Sequence, residues 1–221
     1  MQDLIKQEQF ELEVLDSLNS KRLLSNIVFT GGTMLRLCHG LNRFSVDLDF
    51  WIIKKINEKR LFKDIEICLA ERYEITDSAN KFHTLLYEIR SKEYPRRLKI
   101  EIRKQVKAVN IEQAIAYSKN SNIQVILNVV SLAKMMEAKV EAFLNRKEIR
   151  DVFDIEFLVK KGVILESNQN DLKILLNGIN SFTKRDYTIK LNSLLEKGQR
   201  DYYREENFKI LKSIIQQKLA G

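Results

Sequence analysis

Two aspartates separated by one residue are the side chains of this sequence best suited to do chemistry. From Arg43 to Trp51 the chain reads R-F-S-V-D-L-D-F-W, and its apolar residues alternate with polar ones. The alternation predicts a β-strand on which Asp47 and Asp49 point the same way, about 7 Å apart along the strand. Two such carboxylates repel each other. A hard divalent ion such as Mg²⁺ relieves the repulsion and keeps substrate phosphates in its shell, so we predict both aspartates as metal ligands.

A glycine turn lies directly upstream of these aspartates. Ile27 to Thr30 is a short β-branched and aromatic run, Gly31 and Gly32 follow it, and Thr33 to His39 has helical composition. A strand, glycine turn and helix in this order leave backbone N–H groups unpaired at the helix N-terminus, where phosphate oxygens can come close. We predict that Gly31, Gly32 and Thr33 hold the β and γ phosphates of a nucleoside triphosphate. The turn and the acids together predict metal-assisted phosphoryl chemistry.

A third acid lies on a later strand candidate. Within Arg97 to Arg103, the residues Leu98, Ile100 and Ile102 alternate with polar ones, and Glu101 has a basic residue two positions away on each side. If this strand lies beside the D-L-D strand with the polar faces matched, Glu101 becomes a third carboxylate, acting as metal ligand or as base. The alternative is an exposed edge strand of mixed charge.

These residues carry a resemblance to a known family. The order G-G-T-x-L-R, then R-x-S-x-D-L-D-F, resembles the nucleotidyltransferase core of the AbiEii/AbiGii toxin family in the DNA polymerase β superfamily. The matching residues are Gly31, Gly32, Ser45, Asp47 and Asp49, while Arg36 and Arg43 stand where the family tends to carry arginines. The resemblance implies that Ser45 and Arg36 bind nucleotide. Glu101 departs from the pattern, because the third acid is more often aspartate; it is predicted to bind metal, act as base or hold a basic neighbour.

The second half of the chain supplies a lysine and two acids. Lys139 has Met135, Met136 and Phe143 as helical neighbours, so the residues alone favour a buried stem and a head that reaches water. Asp151 and Asp154 border the buried side of the next helix, where they could pair with Arg150 or Lys147. By resemblance, A-K-x-x-A-F-x-x-R followed by R-D-x-x-D is the family's C-terminal pattern. It implies that Lys139 contacts the nucleotide phosphates and favours Asp151 as the functional acid, with Asp154 as the other candidate.

The order of predicted elements indicates an α/β (α+β) protein. A leading helix and the core motif are followed by a helix from Asn57 to Arg72 and by strands at Tyr73 to Thr76, Thr84 to Arg90 and Arg97 to Arg103. We predict a small mixed sheet with flanking helices, the nucleotidyltransferase core, over residues 1–122. A mainly helical C-terminal bundle follows over residues 123–221, with Ile123 to Ile126 as one last strand.

Composition adds weaker constraints. The formal charge of +8, from 38 basic against 30 acidic residues, favours a polyanionic partner. Two cysteines without a C-x-x-C suggest neither a disulfide framework nor a zinc site.

The N-terminus lacks an apolar signal core and no apolar run is long enough to span a membrane, so we expect a cytoplasmic protein without membrane contact. Basic residues and tyrosines interleave from Lys184 to Arg204, a composition that can grip RNA but more often forms ordinary surface.

The function expected from the sequence is metal-dependent nucleotidyl transfer. A nucleoside monophosphate would move from an NTP to an acceptor hydroxyl, with Mg²⁺ as cofactor. By resemblance the acceptor is RNA, the 3′ end of tRNA, and the chain is the toxin of a toxin–antitoxin pair with a cognate antitoxin protein as possible partner. Two alternatives are a small-molecule nucleotidyltransferase, which would want an acidic pocket for a cationic substrate, and a non-catalytic nucleotide- or RNA-binding module.

Overall fold

The computed structural model describes residues 1–106 and 109–220, which form two compact units, Met1–Ser131 and Leu132–Gly221. The sequence placed the division between residues 122 and 123. The two compact units instead divide after Ser131, because the strand Val125–Val130 pairs within the sheet of the first unit. That strand therefore belongs with the sheet and not with the helices that follow.

The first unit is built on a seven-stranded mixed sheet with three helices. The helices are α1 (Gln2–Ser20), α2 (Gly31–His39) and α3 (Glu58–Ala70). The strands are β1 (Ile27–Thr30), β2 (Asp47–Ile52), β3 (Glu74–Asn80), β4 (Thr84–Arg90), β5 (Leu98–Arg103), β6 (Ile111–Ala116) and β7 (Val125–Val130). Their order across the sheet is β3-β4-β5-β2-β1-β7-β6. The β2–β5 and β1–β7 pairs are parallel and the other pairs antiparallel, so the predicted mixed sheet is confirmed.

Apolar residues at alternate positions hold β2 and β5 in the centre of this sheet. Leu48 and Phe50 of β2 and Ile100 of β5 are buried, whereas the residues between them are partly exposed. Helix α1 contacts β5 and β7, and α3 contacts β3 and β4. Asn57, where the predicted helix begins, is the N-cap of α3, since its side chain accepts a hydrogen bond of 3.0 Å from the Arg60 amide. The buried apolar side chains thus anchor the two strands, and the side chains between them stay partly exposed on the opposite face of the sheet.

Two strands differ from the expectation. Strand β6 was not predicted, because I-E-Q-A-I-A is short and has polar and alanine residues where a half-buried strand has β-branched ones. It lies at the sheet edge, where most of its side chains are exposed. The predicted strand at Ile123 to Ile126 is displaced toward the C-terminus as β7. The bounds of β7 are set by its pairing with β1 and β6. Such pairing between distant strands is not visible in a single sequence.

The second unit is helical. Its helices are α4 (Leu132–Arg146), α5 (Ile149–Lys160), α6 (Gln169–Ser181), α7 (Lys197–Glu206) and α8 (Lys209–Ala220), with a π-helical turn at Asp186–Leu191 and a 3₁₀ turn at Asn192–Leu194. Helix α4 packs on α5 and α6, and α8 packs on α5 and α6. Helix α7 was not predicted, because its polar sequence, with three basic and three acidic residues, has no apolar stripe. Within the residues described, no helix is long and apolar enough to cross a membrane.

Two of the tail tyrosines are core residues. Tyr187 and Tyr203 are buried, and each ring lies within 6 Å of the buried Phe208 ring, at 5.9 and 5.3 Å between centroids. Their aromatic faces are used in packing the second unit. Stacking on RNA bases, which the composition of the tail allowed, is therefore not open to these two rings, whereas Tyr202 is 38% exposed.

Candidate active site

The strands that carry the three predicted acids are neighbours in the sheet. Strands β2 and β5 run parallel, and their register places Asp49 opposite Glu101 and Asp47 opposite Lys99. Residues opposite each other project from the same side of a sheet, so the four charged side chains share one face. We call this set, Asp47, Asp49, Lys99 and Glu101, the acid face. The prediction for Glu101 required that its strand lie beside the D-L-D strand with the polar faces matched, and the observed register meets this condition.

The glycine bend packs directly against this face. Gly31 has φ +81°, a left-handed conformation that favours glycine. A Cβ atom on Gly31 would lie 2.9 Å from Cβ and 3.1 Å from Cγ of Asp49, too close for any side chain to fit. Gly31 is therefore required both by backbone conformation and by contact with Asp49. The first turn of α2 and the second aspartate lie side by side in the first unit.

Gly32 is equally enclosed, but by different residues. A Cβ atom there would lie 2.6 Å from an Arg43 guanidinium nitrogen and 2.8 Å from the Ser45 hydroxyl oxygen. The Arg43 side chain is buried, and its Nη1 donates a 3.0 Å hydrogen bond to the Phe44 carbonyl. Ser45 thus lies at the bend, as its nucleotide-binding prediction requires, and the binding itself stays a prediction.

Two predicted phosphate contacts have structural partners. The buried Thr33 hydroxyl donates a 2.6 Å hydrogen bond to the Asp47 carbonyl, which ties α2 to β2. Arg36 donates through Nε to Glu8 at 2.7 Å and through Nη1 to the Leu41 carbonyl at 3.0 Å. Its guanidinium also lies 4.2 Å from the centroid of the Phe44 ring. The structure shows the hydrogen bonds that Thr33 and Arg36 make within the protein. Their contacts with a nucleotide stay predictions.

Glu101 is held by a lysine of its own strand. The Lys99 ammonium forms an ion pair with the Glu101 carboxylate, and the two side chains are 44% and 33% exposed. The pKa of Lys99 is raised, first by this hydrogen bond and then by the charges of Glu101, Asp47 and Asp49, against the opposing effect of burial. The ammonium therefore lies within electrostatic reach of every acid of the face.

Oxygen ligands of this type suit a divalent ion, but the three acids are not gathered as a finished site. Carboxylates are the donors that Mg²⁺ prefers, and Asp47 and Asp49 project together. Across residues 1–106 and 109–220, no group of three or more His, Cys, Asp or Glu side chains is arranged to hold a metal. Glu101 engages Lys99 instead. The donor chemistry fits for the two aspartates, and the ligand role of Glu101 stays a prediction.

One buried acid near the face was not identified from the sequence. Glu11 of α1 is 1% exposed, and neither of its carboxylate oxygens has a hydrogen-bond partner. Burial raises its pKa well above the ordinary value, and the charges of Glu8 and Asp47 raise it further. Its signal was a polar residue within the apolar stripe predicted for the first helix. That signal is weak, because helix ends and edges often carry such residues.

The candidate residues of the second unit form a buried ion network. Lys139 Nζ lies 2.7 Å from Asp154 Oδ2 and 3.8 Å from Asp151 Oδ1. Arg146 binds both oxygens of Asp151, through Nε at 2.7 Å and Nη2 at 2.6 Å. Both aspartate side chains are fully buried. The partners predicted from the sequence, Arg150 and Lys147, were wrong, because the helix faces turn both acids toward α4. We call these four residues the buried quartet after its three buried members, since the Arg146 side chain is 46% exposed. The expectation that the Lys139 head reaches water was wrong, because its ammonium is enclosed with the two aspartates.

Comparisons with known proteins agree with this architecture. A profile described as "Nucleotidyl transferase AbiEii toxin, Type IV TA system" matches residues 13–215. A crystal structure from H. pylori, named as a candidate nucleotidyltransferase, superposes with a TM-score of 0.60 at 20% identity, covering 100% of this chain and 97% of the other. JHP933 from Helicobacter pylori gives a TM-score of 0.53 at 23% identity, over 93% and 94% of the two chains. No curated protein matches the chain significantly.

Proposed function

The chain belongs to the AbiEii family of nucleotidyltransferase toxins, and from this premise we propose that it transfers a nucleoside monophosphate from an NTP to a hydroxyl of RNA. Family membership makes it a nucleotidyltransferase toxin. The RNA acceptor, its identity as the 3′ end of tRNA and the dependence on Mg²⁺ are the proposed parts. A cognate antitoxin protein is the proposed partner.

One observation carries the proposal: Asp49 lies against the Gly31 bend while sharing a strand face with Asp47. The amides of the first turn of α2 are suited to phosphate oxygens, because their N–H groups have no partner within a helix and the helix dipole favours negative charge. Groups suited to phosphate and to a divalent ion are thus adjacent in the first unit. That adjacency is what transfer from a triphosphate needs.

The reaction divides cleanly into bonds made and broken. The acceptor hydroxyl oxygen attacks the α-phosphorus, the bond from that phosphorus to the bridging oxygen breaks, and pyrophosphate leaves. The hydroxyl proton passes to a base, and Glu101 is proposed either to take this proton or to ligate the divalent ion, the two roles predicted for it. Asp47 and Asp49 would hold the divalent ion, which when bound withdraws charge from the phosphates. Gly31, Gly32 and Ser45 would orient the β and γ phosphates.

The second unit supplies a further set of proposed residues. Lys139 would neutralise charge on the triphosphate, as the family resemblance implies. Asp154 contacts it at 2.7 Å and so supports its charge and position, while Asp151 is braced by Arg146. We assign Asp154 as the direct partner of Lys139. Asp151, favoured by the resemblance, is proposed as the second acid of the same network.

The proposed acceptor rests on charge. The chain has a formal charge of +8, which favours a polyanion over the cationic substrates of small-molecule nucleotidyltransferases. Lys197 and Tyr202 are exposed along α7 and available to phosphates and bases, whereas the exposed Arg204 is paired with Asp201 at 2.7 Å. RNA contact is therefore proposed for α7 and not for the buried tyrosines.

The test is incubation of the protein with each labelled NTP, Mg²⁺ and total tRNA, followed by detection of label in the RNA. Asp47→Asn, which keeps side-chain shape and removes charge, is the matched control. We expect label with the wild-type protein only, and loss of label when Mg²⁺ is chelated. NTP binding without transfer would indicate a binding module, and label on small hydroxylated molecules instead of RNA would contradict the acceptor.

A further inference from the structure

Lys99 is surrounded by carboxylates on the acid face. In the sheet register it lies opposite Asp47 on β2 and opposite Glu88 on β4, and it forms an ion pair with Glu101 two residues along its own strand. Residues two apart on a strand project from the same side, so the contact with Glu101 needs no distortion of the backbone. The Lys99 side chain therefore lies beside several acidic residues and forms its ion pair with one of them, Glu101.

Arg103, the basic residue on the other side of Glu101 in β5, differs from Lys99 in its contacts. Arg103 lies two residues beyond Glu101, on the same face, and is exposed. Among residues 1–106 and 109–220, no ion pair is formed by Arg103. Glu88, the other acid beside Lys99, is bound by Arg97 at 2.7 Å and by the Thr76 hydroxyl at 2.8 Å. Glu101 is thus the acid that depends on Lys99, although Arg103 is equally close in sequence.

We propose that Lys99 is a built-in cation that stabilises the acid face without metal and must release Glu101 before a divalent ion can use it. The inference rests on the proposed metal-dependent function and adds a residue to it. A positive charge between carboxylates lowers their mutual repulsion in the same way as a bound cation. It also competes for the carboxylate that a metal would need. This explains why Asp47, Asp49 and Glu101 share a face without forming a gathered three-acid site.

Two opposite effects of removing the charge follow. Without metal, Lys99→Met leaves Glu101 facing the aspartates with no ammonium between them, so the folded state is less stable. With metal, the same variant offers the Glu101 carboxylate without the ammonium that competes for it, so the ion binds more tightly. A lysine with a merely structural role would give the first effect without the second.

The experiment compares wild type, Lys99→Met and Arg103→Met by calorimetric titration with Mn²⁺ and by thermal unfolding with and without Mn²⁺. Arg103→Met is the matched control, because it removes one positive charge from the same strand face at equal spacing from Glu101. We expect Lys99→Met to bind Mn²⁺ about five- to tenfold more tightly than wild type. Without metal its unfolding midpoint should fall by about 2–4 °C, and Mn²⁺ should restore it. Arg103→Met should change Mn²⁺ affinity by less than about twofold.

Unchanged or weaker Mn²⁺ binding by folded Lys99→Met would overturn the inference, and so would equal tightening in Arg103→Met. If Lys99→Met fails to fold, Lys99→Gln removes the charge while keeping a hydrogen-bond donor for Glu101, and the same tightening is expected. Nucleotide transfer is assayed in parallel. Tighter Mn²⁺ binding without any transfer by wild type would sink the proposed function and leave the role of Lys99 standing.

Discussion

The acid face and the buried quartet are both built from carboxylates and cations, but they differ in exposure and in how the chain brings them together. Glu101 and Lys99 on the face are 33% and 44% exposed, whereas Asp151 and Asp154 of the quartet are fully buried. The face is assembled from strands far apart in sequence. The quartet comes from two consecutive helices, α4 and α5.

Because the acid face is partly exposed and the aspartates of the quartet are buried, charge has a different effect on stability in the two groups. Removing one partner of a buried pair is strongly destabilising, because it leaves an isolated buried charge. A partly exposed group of acids contributes little to stability, and ligands can reach it. We therefore expect changes on the face to alter chemistry with small effects on folding, such as the fall of about 2–4 °C in the unfolding midpoint of Lys99→Met. Changes in the quartet should alter folding, and at Lys139 also the proposed contact with the triphosphate.

The largest effect is expected from Asp49→Asn, which tests the acid face. Asparagine keeps the shape that packs against Gly31, so the free energy of unfolding should change by less than about 0.5 kcal/mol. Transfer of nucleotide to RNA should fall by about a thousandfold, because a charge aimed at the reacting phosphates is lost. Steady-state transfer rates and urea unfolding measure the two. A large loss of stability with activity retained would break the comparison.

The next effect is expected from Asp154→Leu, which tests the buried quartet. It leaves the Lys139 ammonium buried with only Asp151, at 3.8 Å, so the free energy of unfolding should fall by about 3 kcal/mol. The double variant Lys139→Met with Asp154→Leu removes both charges and should recover most of that loss. Urea unfolding of the single and double variants measures the coupling. No recovery in the double variant would mean that the unpaired Lys139 ammonium is not the cause of the loss in Asp154→Leu.

The smallest effect is expected from Glu11→Gln, which sharpens the comparison with an acid that is buried but unpartnered. Its pKa in the folded protein is raised, so as pH increases from near 4.5 the unfolded chain releases this proton first and wild type loses stability. Glutamine removes that loss. At about pH 8 the variant should be about 1–2 kcal/mol more stable than wild type, and the difference should shrink toward about pH 5. Urea unfolding at both pH values is the measurement, and a constant difference would contradict the assignment.

Much of the fold was predictable because the local patterns were strong. Strand β1 has the predicted bounds, β4 extends from Thr84 to Arg90 as predicted, and Asn57 caps α3. The mixed sheet and the helical second half were also predicted correctly. Strand β6 and helix α7 were missed, because neither carries the periodic apolar residues on which such predictions depend.

The candidate site was predictable in its residues and less so in its contacts. Alternation placed Asp47 and Asp49 on one face, and the matching of Glu101 to Asp49 agrees with the condition set by the sequence. The ion pair with Lys99 corresponds to one of the three predicted roles of Glu101, holding a basic neighbour. What a sequence does not display is which of several nearby charges meet. For that reason Arg146 was missed as the partner of Asp151, and Glu8 as the partner of Arg36.

The position of β1 in the sheet bears on when the enzyme can first work. Strand β1 pairs with β2 on one side and with β7 on the other, where Phe29 lies opposite Val129. Pairings this distant along a chain close slowly, because a long loop must be ordered first. During synthesis, the Gly31 bend and both aspartates leave the ribosome well before β7 is made. We therefore expect a nascent chain of this toxin to be harmless until its last strand has docked.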